Sequence, residues 1–167
     1  MEFMAKLIKL TKGKFAIVDS EDFEWLNHWK WHAAKSGNYA GREEAIGGGK
    51  SRFILLHRLI MGAIGKVQVD HKNGNGLDNR KENLRLCSNK DNQRNHKLLV
   101  TNTSGFNGVS WNKDRKKWEA CISVDHKTKH LGCFHDKLEA AKSYNKAAII
   151  YFGEFARLNQ IRGYYGL

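Results

Sequence analysis

Residues 69–95 read VDHKNGNGLDNRKENLRLCSNKDNQRN. Asp70 sets a carboxylate beside the imidazole of His71, a loop rich in Gly and Asn follows, and carboxamides return at Asn83 and Asn92. Ser88, with an acidic residue three positions on at Asp91, is a capping-box pattern that puts Asn92 in the first turn of a helix. Asp70 and Asn92 offer oxygen donors, which suit a Mg²⁺ that keeps several waters; zinc favours His and Cys instead. An imidazole with an ordinary pKa of about 6.5 takes a proton from water near neutrality. Adjacent strand residues point to opposite faces, so a shared site for Asp70 and His71 needs a bulge or a twisted strand end, which Gly74 and Gly76 permit. Asn73, Asn75 and Asp78 also read as turn formers, and Asn83 as a residue that bonds the backbone of the loop.

The surroundings of this segment are basic. Of the 167 residues, 29 are Lys or Arg and 17 are Asp or Glu, a formal charge of +12. Residues 1–100 carry 18 basic and 11 acidic side chains, and residues 101–167 carry 11 and 6, so both parts are basic. Such a surplus points to nucleic acid or an anionic membrane surface. No apolar run approaches the ~20 residues of a membrane span, and MEFMAKLIKL lacks the apolar core of a signal peptide. An intracellular protein without a membrane partner is expected. Cys87, Cys121 and Cys133 are odd in number, far apart and form no CxxC pair. That does not support a zinc knuckle or ribbon, and reduced thiols are expected. Gly49-Lys50-Ser51 ends like a phosphate-binding loop, but Glu44 stands where that motif requires Gly, so a nucleotide site is rejected.

Moving outward, Phe15-Ala16-Ile17-Val18 reads as a strand and Asp19-Ser20-Glu21-Asp22 as a helix start. Trp29 and Trp31 alternate around Lys30 as on a half-buried strand, and the aromatics here read as core packing rather than base-stacking platforms. Glu43 to Ser51 reads as a loop, and His57 to Gly62 as a short helix closed by Gly62. Asn102-Thr103-Ser104-Gly105 reads as a linker. Beyond it, Gly108–Asn112, Trp118–Val124 and Lys129–Phe134 read as three strands. Trp118, Ala120, Ile122 and Val124 share one face; Glu119, Cys121 and Ser123 share the other. Asp136 to Phe152 reads as a helix capped by Asp136 and stopped by Gly153, with Leu138, Ala141, Tyr144, Ala148 and Tyr151 as its apolar stripe.

Residues 55–95, through LHRLI, VDHKNGNGLDNRKENLRL and KDNQRN, resemble the HNH nucleases, in particular the homing endonucleases of phages and introns. The opening IKLTKGKFAIVD and WKWHA are similar to the front of the same phage proteins, so the resemblance covers most of residues 5–97. It implies an α+β domain with a ββα-metal (His-Me finger) core. His71 would be the general base, Asp70 and Asn92 the metal ligands, and Asn83 the central Asn of the loop. His57 would be a supporting residue from the His-Arg ahead of the motif. The metal would be Mg²⁺ or Mn²⁺.

Residues 104–159, with GVSW, HLGCF, EAAKSYNKAA and the closing LN, resemble the plant ethylene-response-factor (APETALA-type) DNA-binding domain. That resemblance implies a three-stranded antiparallel sheet packed on one α-helix, with the sheet in the DNA major groove. Plant members use arginines and a tryptophan on that face, whereas this chain has Asn107, Ser110, Asn112, Ser123 and His130 at the corresponding places. Phosphate contacts are therefore expected from Lys113, Arg115, Lys117 and Lys129, with a different or sparser base readout.

These readings describe two domains, 1–100 and 101–167. The expected protein is a homing-type DNA endonuclease, in which His71 activates a water and one divalent cation assists. It would act as a monomer that nicks duplex DNA, need no small-molecule organic cofactor, and work in the cytoplasm of a bacterial host. Arg80, Lys81, Arg85 and Arg94 are the expected phosphate contacts near the site. The rivals are a DNA-binding regulator on an inert nuclease scaffold, which the intact Asp70, His71 and Asn92 oppose, and an RNA-processing nuclease. A sheet suited to a wide groove disfavours the latter.

Overall fold

The computed structural model describes residues 4–34, 36–94 and 102–162, the side chains of Gln93 and Arg94 excepted. The chain divides into two units, Met1–Asn92 and Gln93–Leu167.

In the first unit, β1 (Ala5–Lys9) and β2 (Phe15–Asp19) form an antiparallel hairpin. Ile8, Ala16 and Val18 are buried, which turns one of its faces toward the core. Helix α1 (Ser20–Leu26) follows and buries Leu26. Strands β3 (His32–Ala33), β4 (Ala40–Gly47) and β5 (Lys50–Leu55) make a second antiparallel sheet, which runs directly into α2 (Leu56–Ile60). A third pair, β6 (Gln68–His71) and β7 (Leu84–Cys87), is antiparallel and leads to the short helix α3 (Asn89–Arg94). The core gathers Ile8, Leu10, Val18, Leu26, Trp31 and Leu56, with Phe23, Leu59 and Leu77 against it.

Two expectations for this unit are corrected. Glu43 to Ser51 is not a loop: β4 and β5 extend through it as a hairpin, and only Gly48 and Gly49 lie outside them, in the turn. Polar cross-strand pairs build these arms, which therefore lack an apolar alternation to betray them. Ser51 Oγ donates to Glu43 Oε2 (2.9 Å), while Glu44 receives Arg42 Nη2 (2.8 Å) and Arg52 Nε (2.6 Å). Nor is Trp29 to Trp31 a strand, since pairing begins only at His32. Trp25, Trp29 and Trp31 stack edge to face, with centroids 6.0 and 6.5 Å apart, and the Arg42 guanidinium lies 4.6 Å over Trp29. Trp31 is buried and donates to Leu26 O (2.8 Å), whereas Trp25 and Trp29 remain partly exposed.

In the second unit, β8 (Val109–Asn112), β9 (Lys117–Val124) and β10 (Lys127–Phe134) form an antiparallel sheet in the order β10-β9-β8. Helix α4 (Lys137–Phe152) packs on it. The Asp136 side chain accepts from Leu138 N (2.9 Å), which caps the helix, and Gly153 ends it at a φ of 54°. Ala120 and Ile122 point from β9 into the core, where they meet Ala140, Ala141, Ala147 and Ala148. The buried stripe thus differs from the expected one, as Leu138 and Tyr151 are exposed and alanines face the sheet. Small side chains let the helix lie close to the strands, leaving the larger ones to its flanks. Gly108, at a φ of 66°, sits where a Cβ would strike the Tyr144 ring at 2.1 Å. Buried Asn145 donates to Asn159 O (2.9 Å) and accepts from Asn159 N (2.7 Å). The Asn159 side chain accepts from Asn107 N (2.6 Å) and donates to Asn107 O (3.1 Å).

Candidate functional site

The segment between β6 and β7 is held by its own amides. Asn73 Oδ1 accepts from Asn75 N (2.8 Å), and Asn75 Oδ1 accepts from Leu77 N (3.1 Å), so the Asn residues form successive turns. Asn83 ties both ends of the segment, its Oδ1 accepting from Asn73 N (3.0 Å) and its Nδ2 donating to Asp78 O (2.7 Å). The segment is also stitched to the edge of β2: Ile17 N donates to Leu77 O (2.8 Å) and Asn79 N to Ile17 O (2.7 Å). Asp19, at the end of β2, accepts from Lys81 N (2.8 Å). Gly76 passes so close to residues 38 and 39 that a Cβ there would lie 2.1 Å from Asn38 O.

Pairing of β6 with β7 runs without a bulge, Asp70 opposite Arg85 and His71 opposite Leu84. Of the two devices expected there, no bulge is present, and His71 is the last paired residue of β6, at the strand's end. Both side chains are buried, and they turn to different partners. Asp70 Oδ2 receives Arg85 Nε (2.9 Å) and Nη2 (2.6 Å), an ion pair almost closed to solvent. His71 Nε2 lies 3.3 Å from Asn79 Oδ1. Because Asn79 Nδ2 donates to Leu77 O (3.0 Å), its oxygen faces the imidazole, so His71 Nε2–H donates and the basic lone pair is on Nδ1. Asn79 is completely buried. It escaped the sequence reading because an Asn inside DNR looks like one more turn former; only its burial sets it apart.

Around His71 lie His57, edge to face at 5.0 Å, and Tyr39 at 5.8 Å. His57 is buried on α2, and its Nδ1 has no hydrogen-bond partner among the described residues. Burial, then the neighbouring His71 and Arg58, push its pKa down to about 3. Burial also lowers the pKa of His71, while the Asn79 bond, Asp70 and Asp78 pull it back up. Both rings are therefore neutral near pH 7, the form in which an imidazole accepts a proton.

The basic residues expected on phosphate are largely engaged with carboxylates. Arg85 holds Asp70. Arg80 donates to both oxygens of Asp78 (2.8 Å each) and pairs with Glu82 (2.6 Å). Lys81 pairs with Glu21 (2.7 Å) and Asp22 (3.0 Å). The Arg94 side chain lies outside the described residues. Asn92, half-buried in α3, donates its backbone N–H to Ser88 O (3.0 Å), and Ser88 Oγ accepts from Asp91 N (3.2 Å) and donates to Asp91 Oδ2 (2.6 Å). As a donor set, the Asp70 carboxylate and Asn92 carboxamide fit a hard divalent cation by chemical type, although Asp70 already shares Oδ2 with Arg85.

In the second unit, the register puts Ser110, Asn112, Lys117, Glu119, Cys121, Ser123 and His130 on the sheet face away from α4. Lys113 and Arg115 are exposed in the β8–β9 turn. Asn107 lies ahead of β8, its backbone held by Asn159. Lys129, also expected on phosphate, lies apart from these residues. It stands opposite inward-facing Ile122, so its ammonium goes to the helix side, 3.2 Å from Tyr151 Oη and 4.6 Å over that ring.

A family model described as HNH endonuclease matches residues 55–94, the span from the end of β5 through α3. An uncharacterized HNH endonuclease of Acanthamoeba polyphaga mimivirus is 32% identical over 156 residues, covering 90% of this chain and 77% of that protein. The chain belongs to the HNH endonuclease family. Protein 3.8 of Escherichia phage T7 is also similar to this HNH chain, 36% identical over 107 residues, which is 64% of this chain and 88% of that protein. No solved structure matches the HNH chain. Family membership supports a nuclease acting on nucleic acid, and HNH nucleases generally use a divalent metal. Among the described residues, no helix is long and apolar enough to cross a membrane.

Proposed function

We propose that the first unit is a metal-dependent DNA endonuclease of the homing type, with β6, β7 and α3 as a ββα-metal core. The observation that carries this reading is the buried His71–Asn79 pair beside Asp70 in a chain of the HNH family. Asn79 fixes the tautomer, and Nδ1 of neutral His71 takes a proton from water as that water attacks the phosphorus in line with the leaving oxygen. His57 and Tyr39 exclude solvent from one side of the ring and restrict its rotation. Asp70 and Asn92 would hold Mg²⁺ or Mn²⁺, which when bound relieves negative charge on the scissile phosphate and the leaving oxygen. One such site cuts one strand, so a nick by a monomer is the expected event.

The second unit would anchor the enzyme on duplex DNA through its outer sheet face, in the manner of an ethylene-response-factor-type domain, with Lys113, Arg115 and Lys117 toward phosphate. With Arg80, Lys81 and Arg85 on carboxylates, this unit carries more of the phosphate contact than the nuclease core does.

A second reading, a DNA-binding regulator with a silent nuclease scaffold, draws on the Arg85 guanidinium beside the carboxylate meant for the cation. Relaxation of supercoiled plasmid carrying the cognate site, with Mg²⁺ or Mn²⁺, distinguishes the two. Nicking by the wild type and none by His71→Ala supports the enzyme. DNA binding without nicking in either metal leaves the regulator, and equal nicking by both proteins removes His71 from the reaction.

A further inference from the structure

The outer face of the second unit also gathers donors suited to a metal ion. The Nε2 of His130 lies 3.1 Å from Glu119 Oε1 and 3.5 Å from Cys133 Sγ. The ligand atoms of Glu119, His130 and Cys133 all lie within 4.8 Å of one another. The Cys121 thiol lies on the same face, directly opposite His130.

This convergence depends on a defect in the strand. Residues three apart on a regular strand point to opposite faces, so His130 and Cys133 would be separated by the sheet. Between them the register shifts: His130 pairs with Cys121, Gly132 with Ala120, and Cys133 with Glu119. Leu131 becomes the extra residue of a β-bulge and packs inward. Gly132 adopts a φ of 133°, which residues with a side chain rarely take. The bulge re-aims Cys133 onto the face that bears His130 and Glu119.

We propose that Glu119, His130 and Cys133 bind a borderline divalent cation of the zinc class, with the fourth position left to water. The donor set of thiolate, imidazole and carboxylate is the kind such ions select, and hard Mg²⁺ does not. The spacing agrees. Bonds of about 2.3 Å to sulfur and about 2.0–2.1 Å to nitrogen and oxygen, at the tetrahedral angle, separate S from N by ~3.5 Å and N from O by ~3.4 Å. The observed separations are 3.5 and 3.1 Å. Arg115 Nη1 donates to Cys133 Sγ at 3.3 Å, which holds the sulfur on this face. Binding replaces the thiol proton, which leaves to solvent, and any proton on the imidazole. The site is distinct from Asp70 and Asn92 in both location and donor chemistry, and it stands whether or not the first unit cuts DNA.

The test uses the full chain, reduced and stripped with a chelator, then titrated with Co²⁺ under anaerobic conditions. One equivalent giving a sulfur-to-cobalt charge-transfer band with tetrahedral d–d absorption, displaced by Zn²⁺, is the expected result. Cys133→Ser should abolish the band and His130→Ala should weaken Co²⁺ binding about tenfold or more, whereas Cys87→Ser should leave the band unchanged. Circular dichroism checks that the variants fold. Should Cys133→Ser fail to fold, Zn²⁺ protection of Cys133 from alkylation in the wild type, read by mass spectrometry, replaces it. No charge-transfer band in the wild type, a band that survives Cys133→Ser, or no protection would overturn the proposal.

Discussion

Replacing Asn79 with alanine removes one small side chain and two hydrogen bonds, and it separates positioning from chemistry at the proposed site. Leu77 O loses the Asn79 amide but keeps Ile17 N, whereas the His71 Nε2–H loses the buried acceptor that faces it. A buried donor deprived of its partner costs about 1–3 kcal/mol. At ~2 kcal/mol, the Tm of a unit this size falls by roughly 8–16 °C. Catalysis should suffer beyond that, because the ring is no longer held in the tautomer with its lone pair on Nδ1. A general base contributes about 10²–10⁴-fold, so nicking at a temperature where the variant is folded should drop by ~10²-fold. Asn79→Asp keeps an acceptor and adds a negative charge that favours the imidazolium. Its acid limb in kcat/KM should therefore lie at higher pH than that of the wild type, whose limb falls below the ordinary imidazole range because burial lowers the His71 pKa. The measurement is plasmid nicking against pH, with circular dichroism melts alongside. A folded Asn79→Ala protein that nicks within about threefold of wild type would refute the positioning role.

Other perturbations test the surrounding structure. His57 has a folded pKa of about 3 against about 6.5 unfolded, so the stability that depends on its neutral form is complete above pH 6.5. It is lost as pH falls toward 3, by up to ~4–5 kcal/mol. His57→Phe should flatten that decline in urea titrations, and an unchanged slope would contradict the burial argument. Arg85→Gln takes the guanidinium from a buried carboxylate and should cost about 3 kcal/mol. Mg²⁺ should restore more stability to this variant than to the wild type if Asp70 binds the cation, and equal responses in calorimetry would count against that. Asn145→Leu deletes both bonds to Asn159 and should lower the stability of the second unit by about 2–4 kcal/mol; an unchanged melt would rule out the asparagine link as a structural element. Removing residues 101–167 should weaken DNA binding in gel-shift assays and leave some metal-dependent nicking, whereas unchanged affinity would exclude the anchoring role.

What the sequence revealed depended on whether the signal was local. The strands and helix of the second unit lie close to their expected bounds, since Ala120 and Ile122 alternate with polar residues and Asp136 and Gly153 mark the helix ends. The α4 stripe was misjudged because side-chain size suggested Leu138 and Tyr151, while close packing selects alanine. The β4–β5 hairpin was hidden because its arms are joined by Glu43–Ser51 and Glu44–Arg52 pairs that only the register reveals. At the candidate site, Asp70, His71 and Asn92 announce themselves by type and spacing. Asn79 and the Asp70–Arg85 pair depend on burial and cross-strand register, which spacing alone does not convey. The Glu119, His130 and Cys133 cluster was invisible for the same reason: its donors meet across strands and through a bulge, so no CxxC-like interval records them.

The exchange of bonds between Asn107 and Asn159 has an evolutionary consequence. It joins the backbone just before the first strand of the second unit to the backbone just after its helix, so the points where the chain enters and leaves that fold lie side by side. A fold whose ends meet can be spliced into another polypeptide, or lost from one, with little strain on either host or insert. The second unit is thus built as a transferable cassette, which can be joined to another domain or removed from it without disturbing its own fold.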